Sequence, residues 1–335
     1  MIHMQNKEHQ VRVSVIVPVY NAEETIVACA GNLVSQTLDD IEILFVDDCS
    51  TDQSFAILQQ IMAQFPDKVK VYQTEENSGP GGARNIGMKY ASGMYIGFVD
   101  SDDLADVTMY EKLFLRAQET HADIVDCAFI NEETQAIVMP ADDCLTGQLD
   151  NHRRNTLIAA EGYVWSKLFR TSLLKEHRVL FREGTAMEDT DFVLYVYAIA
   201  DSLQTVKEPL YKHVCNRESI MQKMDGYSSY VTSKNAMLAI YDRMSGLSGY
   251  EKIQAGCEAM LIGLYLSAIV YCLELKEENE REVIACLQDL AEIRHKVILN
   301  GYKNEYLLQG IDENCMRIME LNDRNSEELY QIYRN

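Results

Sequence analysis

Asp100, Asp102 and Asp103 fall within four positions of one another, directly after an apolar run, in the stretch Gly97-Phe98-Val99-Asp100-Ser101-Asp102-Asp103. Carboxylates this close repel one another and raise each other's pKa values. The arrangement therefore suits either a solvated turn or a divalent cation. Spaced D-x-D, two of them can offer oxygens to Mg²⁺ or Mn²⁺, and the cation can in turn hold a diphosphate. Asp47-Asp48 makes a second acidic pair after the apolar run at 41–46, and Pro18-Val19-Tyr20-Asn21 brings an aromatic ring to the end of the run at 11–19. Glu188-Asp189 is a third acidic pair, opening a helical pattern after Gly184. Acids there also serve simply as caps and helix-dipole partners.

These groups share one place only if the elements before them run side by side. Residues 11–19 (VRVSVIVPV) and 41–46 (IEILFV) read as strands buried on both faces. Residues 69–72 and 95–99 read as a third and a fourth strand, with helices expected near 24–35, after Ser50 or Thr51 to about 65, and over 83–90. Alternation of strand and helix predicts a mostly parallel α/β sheet with helices on both faces. In such sheets ligands bind beyond the carboxyl ends of the strands. Parallel strands put the polar ends at 18–21, 47–48 and 100–103 on one edge. Beyond 104, residues 123–130 and 136–139 read as further strands, 155–174 as a helix in two pieces, and 189–200 as another helix. From about 230 onward the pattern is helical.

Composition narrows the classes. With 47% hydrophobic and 24% charged residues, 335 residues suffice for one large soluble domain or two smaller ones. A net charge of −22 argues against binding a nucleic-acid backbone, although a metal can still bridge carboxylates to a nucleotide. Nine cysteines without a C-x-x-C pair fit a reducing cytosol and give no zinc site. The polar start MIHMQNKEHQ gives no expectation of a signal peptide. The most apolar later window, residues 259–273, falls short of the roughly 20 residues a spanning helix needs.

VSVIVPVYNAEETI, EILFVDDCSTDQS, NSGPGGARNIGMKYASGMYIGFVDSDD and WSKLFRTSLL…FREGTAMEDTDF resemble the blocks of the family 2 glycosyltransferases, in order and with family spacing, over residues 11–219. The resemblance implies a GT-A fold, Rossmann-like and mostly parallel, with a C-terminal helical subdomain. It implies an inverting, nucleotide-sugar-dependent enzyme. The corresponding division is a transferase domain at 1–225, its nucleotide-sugar half at 11–103 and its acceptor half at 104–225, followed by a helical region at 226–335. Pro18 and Tyr20 would then frame the base, Asp48 would accept from the uracil imide N–H, and Asp100 would contact the ribose. Asn21, Glu23 and Ser101 lie in the same donor blocks. In the glycine-rich loop, Gly79, Gly81 and Gly82 permit close approach of the backbone to a ligand, and Arg84 would reach the nucleotide or brace the acidic turn. A dinucleotide-binding Rossmann site fails on order, because the loop follows the third strand. Asp102 would hold Mn²⁺ or Mg²⁺, with Asp103 as second metal ligand or supporting partner. Asp189, next to Glu188, would be the catalytic base. Trp165 and Lys167 would face the sugar or acceptor, and His213 and Arg217 the diphosphate.

The implied reaction is a single displacement in which Asp189 takes the proton of an acceptor hydroxyl. The expected partners are a UDP-sugar and a saccharide or lipid-linked saccharide acceptor of a bacterial cell-surface polymer, with no nucleic acid. Between residues 152 and 182 seven Lys/Arg face two Glu, a basic island suited to peripheral contact with an anionic membrane or simply to balancing the acidic tail. The expected place is the cytoplasm, at the inner face of the plasma membrane. The rival readings are a sugar-nucleotide nucleotidyltransferase, whose basic N-terminal phosphate loop is replaced here by VPVYNAEE, and a non-catalytic protein on the same fold.

Overall fold

The structure is a computed structural model and describes residues 10–139, 141–160, 162–214, 224–275, 280–307 and 310–334. Strands β1 (Val13–Val19) and β2 (Ile41–Asp47) are buried at every position. Strands apolar on both faces need cover on both, which a parallel sheet flanked by helices supplies. β1 pairs in parallel with β2 and with β4 (Tyr95–Phe98), and β2 pairs in parallel with β3 (Val69–Gln73). Helices α1 (Ile26–Val34), α2 (Ser54–Gln64) and α3 (Gly79–Tyr90) make the connections. The chain steps outward from β1 to β3 and then returns to β4 on the other side of β1. That reversal is a topological switch point, where α/β sheets bind ligands.

The sheet continues through β5 (Leu104–Ala105), β6 (Ile124–Asn131), β7 (Ile137–Val138), β8 (Gly147–Gln148), β9 (Lys167–Arg170) and β10 (Ser202–His213). Its order is β3-β2-β1-β4-β9-β6-β10-β5, with β7 on β6 and β8 on β10. The nucleotide half is wholly parallel as expected. Beyond β4 the sheet is mixed, because β9 runs antiparallel to both β4 and β6. Residues 155–174 are thus not a helix in two pieces. Helix α5 (Asn151–Ala159), strand β9 and the short α6 (Thr171–Glu176) divide them. α4 (Met109–Thr120) packs on this half of the sheet.

Two compact units result. One comprises Met1–Gln148, Tyr163–Gly184 and Ala200–Asn216 and contains the whole sheet. The other comprises Leu149–Gly162, Thr185–Ile199 and Arg217–Asn335 and is helical. The helical unit therefore recruits α5 and α7 (Glu188–Ile199) from before residue 225, and is not confined to the tail. Its remaining α-helices among the described residues are α8 (Gly226–Ser245), α9 (Gln254–Leu273), α10 (Glu280–Val297) and α11 (Glu313–Arg334). α9 corrects the sequence reading of its apolar window. It has 20 residues and is long and apolar enough to cross a membrane, yet 72% of its apolar window is buried within the fold, as befits a core helix.

Candidate active site

The loops after β1 and β2 are stitched together by reciprocal hydrogen bonds. Asn21, at φ 48°, donates its backbone N–H to Ser50 Oγ (3.0 Å), and its Oδ1 accepts from Thr51 N (2.8 Å). Glu23 N donates to Asp52 Oδ2 (3.1 Å), and Glu23 Oε2 accepts from Gln53 N (2.9 Å). Asn21 and Glu23 thus fasten the two loops to each other. Ser50 and Thr51 do not cap α2, since they are spent on Asn21 and the helix begins only at Ser54. Pro18 is buried within β1 opposite Val46, while Tyr20 is 48% exposed beyond the strand's end.

Asp47 and Asp48, at the end of β2, are both buried. Asp47 Oδ2 accepts from Ser50 N (3.2 Å) and Gln73 Nε2 (3.0 Å). Asp48 Oδ1 accepts from Thr74 Oγ1 (3.0 Å), Ser78 N (3.0 Å) and Ser78 Oγ (3.1 Å). The other oxygen of each carboxylate is buried without a hydrogen-bond donor. Thr74 and Ser78 escaped the sequence reading. Their hydroxyls belong to the next βα connection, and only the pairing of β2 with β3 brings them to Asp48.

The glycine-rich loop is the first turn of α3. Gly79 sits at φ 75°, a region that favours glycine. Gly82 makes room for protein and not for a ligand, because a Cβ there would stand 2.2 Å from Ser78 Oγ. Arg84, 4% exposed, donates to Asp100 Oδ1 (2.8 Å) and lies over the ring of Phe181. Of its two expected roles, bracing the acidic turn is the one this ion pair performs.

Within the turn the three aspartates differ. Asp100 carries the Arg84 pair and is 31% exposed at its side chain. Asp103 is 1% exposed and clamped from the end of β10. It accepts from Tyr211 Oη (2.6 Å) and from Val214 N (2.7 Å), and lies 3.2 Å from His213 Nδ1. Burial raises the Asp103 carboxyl above its ordinary range, against the lowering effect of the His213 hydrogen bond. His213 is raised in turn, first by that same bond. Asp103 is therefore a buried anchor of the turn, which matches the supporting one of its two expected roles. Ser101 and Asp102 are half-buried at the turn's surface. Tyr211 Oη also accepts from Asp100 N (3.3 Å), so a single phenol ties both ends of the turn.

Trp165 is 5% exposed and stacks with Tyr163, Tyr211 and His213 at centroid distances of 4.7, 4.5 and 5.6 Å. Its indole stacks on two side chains that clamp Asp103, and its burial leaves little of the ring to a sugar. Lys167 is wholly buried in β9, with Nζ 3.2 Å from Ser166 Oγ. It shares that interior with Asp126, whose Oδ1 accepts from Thr205 (2.6 Å). Burial lowers the Lys167 pKa and raises that of Asp126 to about 6, each opposed by the other's charge. A fully enclosed ammonium has no surface to offer a saccharide, so Lys167 leaves the acceptor list. Three of the seven cations of the basic island are engaged within the fold, while Lys175 and Arg178 are exposed. Lys167 is buried, Arg170 donates to Asp123 Oδ1 (2.7 Å), and Arg154 donates to the carbonyls of Tyr197 and Ala198. Arg217 lies outside the described residues.

In the helical unit, Glu188, Asp189 and Asp191 occupy the first turn of α7, where the helix dipole and open N–H groups favour negative charge. Glu188 is 4% exposed and Asp189 half-buried, with Oδ1 accepting from Thr190 N (2.8 Å). Asp191, unnoticed in the sequence, takes the ion pair of Arg243 (2.7 Å), fastening α7 to α8.

Among the described residues no group of three or more His, Cys, Asp or Glu side chains forms a metal cage. The acidic turn still fits a cation of the Mg²⁺ or Mn²⁺ type. Such ions are held by one or two carboxylates together with substrate phosphates and water, and Asp100 and Asp102 are the half-buried carboxylates of the turn.

Residues 14–175 match the model of glycosyl transferase family 2. The chain is 30% identical over 222 residues to glycosyltransferase GlyG of Streptococcus pneumoniae, covering 63% of this chain and 73% of that protein. It spans 63% of the length of two Bacillus subtilis relatives that it matches at 34% and 35% identity. In fold, it covers 90% of S. aureus TarS 1–349 in complex with UDP-GlcNAc over 96% of its own length, at a TM-score of 0.72 and 22% identity. The mannosyltransferase PcManGT of Pyrobaculum calidifontis, in complex with GDP-Man and Mn²⁺, is similar at a TM-score of 0.56 and 14% identity, over 96% of this chain and 86% of that one. The mixed sheet, with its parallel strand ends lined with acids, shares the fold of the GT-A type. The chain belongs to glycosyltransferase family 2.

Proposed function

We propose that the chain transfers a sugar from a UDP-sugar to an acceptor hydroxyl, with inversion at the anomeric carbon. The observation that carries the donor assignment is the buried, donorless Oδ2 of Asp48. A carboxylate oxygen accepts from the uracil N3–H, and that hydrogen bond relieves a desolvation cost of roughly 1–3 kcal/mol. The base reaches it when the exposed residues 75–77, between Thr74 and Ser78, give way. Tyr20 covers the base, and Asp100 presents its remaining oxygen to the ribose.

Asp102 is the residue that would hold a divalent cation, with the diphosphate supplying further oxygens. When bound, that cation offsets the negative charge building on the departing diphosphate. His213, at the end of β10, reaches the same turn through Asp103, and that hydrogen bond raises its pKa above the ordinary imidazole value. Asp189 takes the acceptor proton as the hydroxyl oxygen attacks. Two carboxylates thus do unlike work, one beside a cation and one as a base. The acceptor is a saccharide or lipid-linked saccharide of a cell-surface polymer, supported by the chain's kinship with bacterial glycosyltransferases. We place the reaction in the cytoplasm, at the inner face of the plasma membrane, since nine cysteines without a C-x-x-C pair suit a reducing compartment.

Asp48→Asn tests the donor assignment. Three donors fix an acceptor oxygen at the Oδ1 position, so the new amide N–H₂ must stand where Oδ2 was. A donor there opposes uracil N3–H and matches the lone pair of cytosine N3. Titration calorimetry with Mn²⁺ present is expected to show UDP bound by the wild type, and UDP weakened with CDP strengthened in the variant. Unchanged UDP affinity in Asp48→Asn overturns the assignment.

A further inference from the structure

The fold itself does not choose a base, since one structure on it holds UDP-GlcNAc and another GDP-Man. In this chain the two oxygens of Asp48 are unequal. Oδ1 already accepts three hydrogen bonds, from Thr74 Oγ1, Ser78 N and Ser78 Oγ. A carboxylate oxygen has about two lone-pair sites, so Oδ1 is full. Oδ2 has no donor. Uracil presents one N–H between two carbonyls, and one open oxygen satisfies it. Guanine presents two adjacent donors, N1–H and the 2-amino group, which a carboxylate matches only with both oxygens. Against a filled Oδ1, one guanine donor would be desolvated without an acceptor.

We propose that Ser78 and Thr74 set the nucleotide choice of this enzyme, admitting UDP and rejecting GDP, by saturating one oxygen of Asp48. The assignment rests on the donor-site reading above. The glycine loop serves the same end. A Cβ on Gly82 would lie 2.2 Å from Ser78 Oγ and 2.6 Å from Ser78 Cβ, so the glycine preserves the space from which Ser78 reaches Asp48. Gly184 N donates to the Ser78 carbonyl (2.6 Å) and holds the residue from its other side.

The experiment is calorimetric titration with UDP and with GDP, in Mn²⁺, of the wild type, Thr74→Val, Ser78→Ala, the double variant and Gly82→Ala. Melting curves check that each variant folds. The wild type is expected to prefer UDP. In the double variant only the Ser78 backbone N–H remains on Oδ1, and the preference should narrow by roughly 10-fold or more, mainly through tighter GDP binding. Gly82→Ala keeps both hydroxyls but displaces Ser78, and should narrow it in the same direction. If the double variant fails to fold, the near-isosteric Thr74→Val carries the comparison. A wild type that binds neither nucleotide overturns the donor-site reading itself. A wild type that prefers GDP, or a UDP preference undiminished in every folded variant, overturns the role of Ser78 and Thr74 alone.

Discussion

A carboxylate can be a ligand, a base, a brace or an anchor, and what decides is which of its oxygens are already engaged. Asp100 engages Arg84, Asp103 engages Tyr211 and Val214, and Asp48 keeps one oxygen back. Spacing alone shows that these acids gather, because strand ends and D-x-D intervals are local patterns. It does not show how they divide the labour, because their partners come from far along the chain. The proposed base is best tested by a change that keeps shape and removes basicity. Asp189→Asn should leave UDP affinity intact while transfer falls by roughly 10²–10⁴-fold, read by titration beside a radiolabelled-sugar assay. Collapse of UDP binding would instead make Asp189 a structural residue and shift the base to Glu188.

At the scale of elements, the acidic turn depends on strands that the sequence hides. β9 reads as helix in the sequence because WSKLFR is only a few residues long and runs directly into the helical TSLLKE. β10 contains Pro209 and slips register on either side of it, which weakens any strand signal. By contrast β1, β2 and α3 were legible, their runs being long and their glycines clustered. Trp165, at the entrance to β9, stacks on two residues at the end of β10 and so joins the two hidden strands. Trp165→Ala is expected to lower stability by roughly 3–5 kcal/mol, measured by urea denaturation. Trp165→Phe should retain most of that stability and leave the acceptor KM unchanged. A raised acceptor KM in a stable Trp165→Phe enzyme would restore the sugar-contact role.

Across the whole molecule, charge buried in the sheet should make stability depend on pH. The folded pKa of Asp126 is raised to about 6 from an ordinary 3.8. A raised carboxyl contributes stability fully below its unfolded pKa, and that contribution is lost as pH rises through the folded value. Between about pH 4 and 6 the wild type should thus lose stability relative to Asp126→Asn, by about 3 kcal/mol at most. Urea midpoints of both proteins across that window provide the check, and parallel curves would refute the coupling. The clamp on Asp103 reaches across the molecule in another sense. Its partners Tyr211 and Val214 lie 108 and 111 residues further along the chain. A ribosome making this protein has released the aspartates of the turn long before the strand that secures them exists. The nascent chain therefore cannot clamp its acidic turn until residue 214 has emerged and docked, so the site is completed only after the other strands of the sheet have been made.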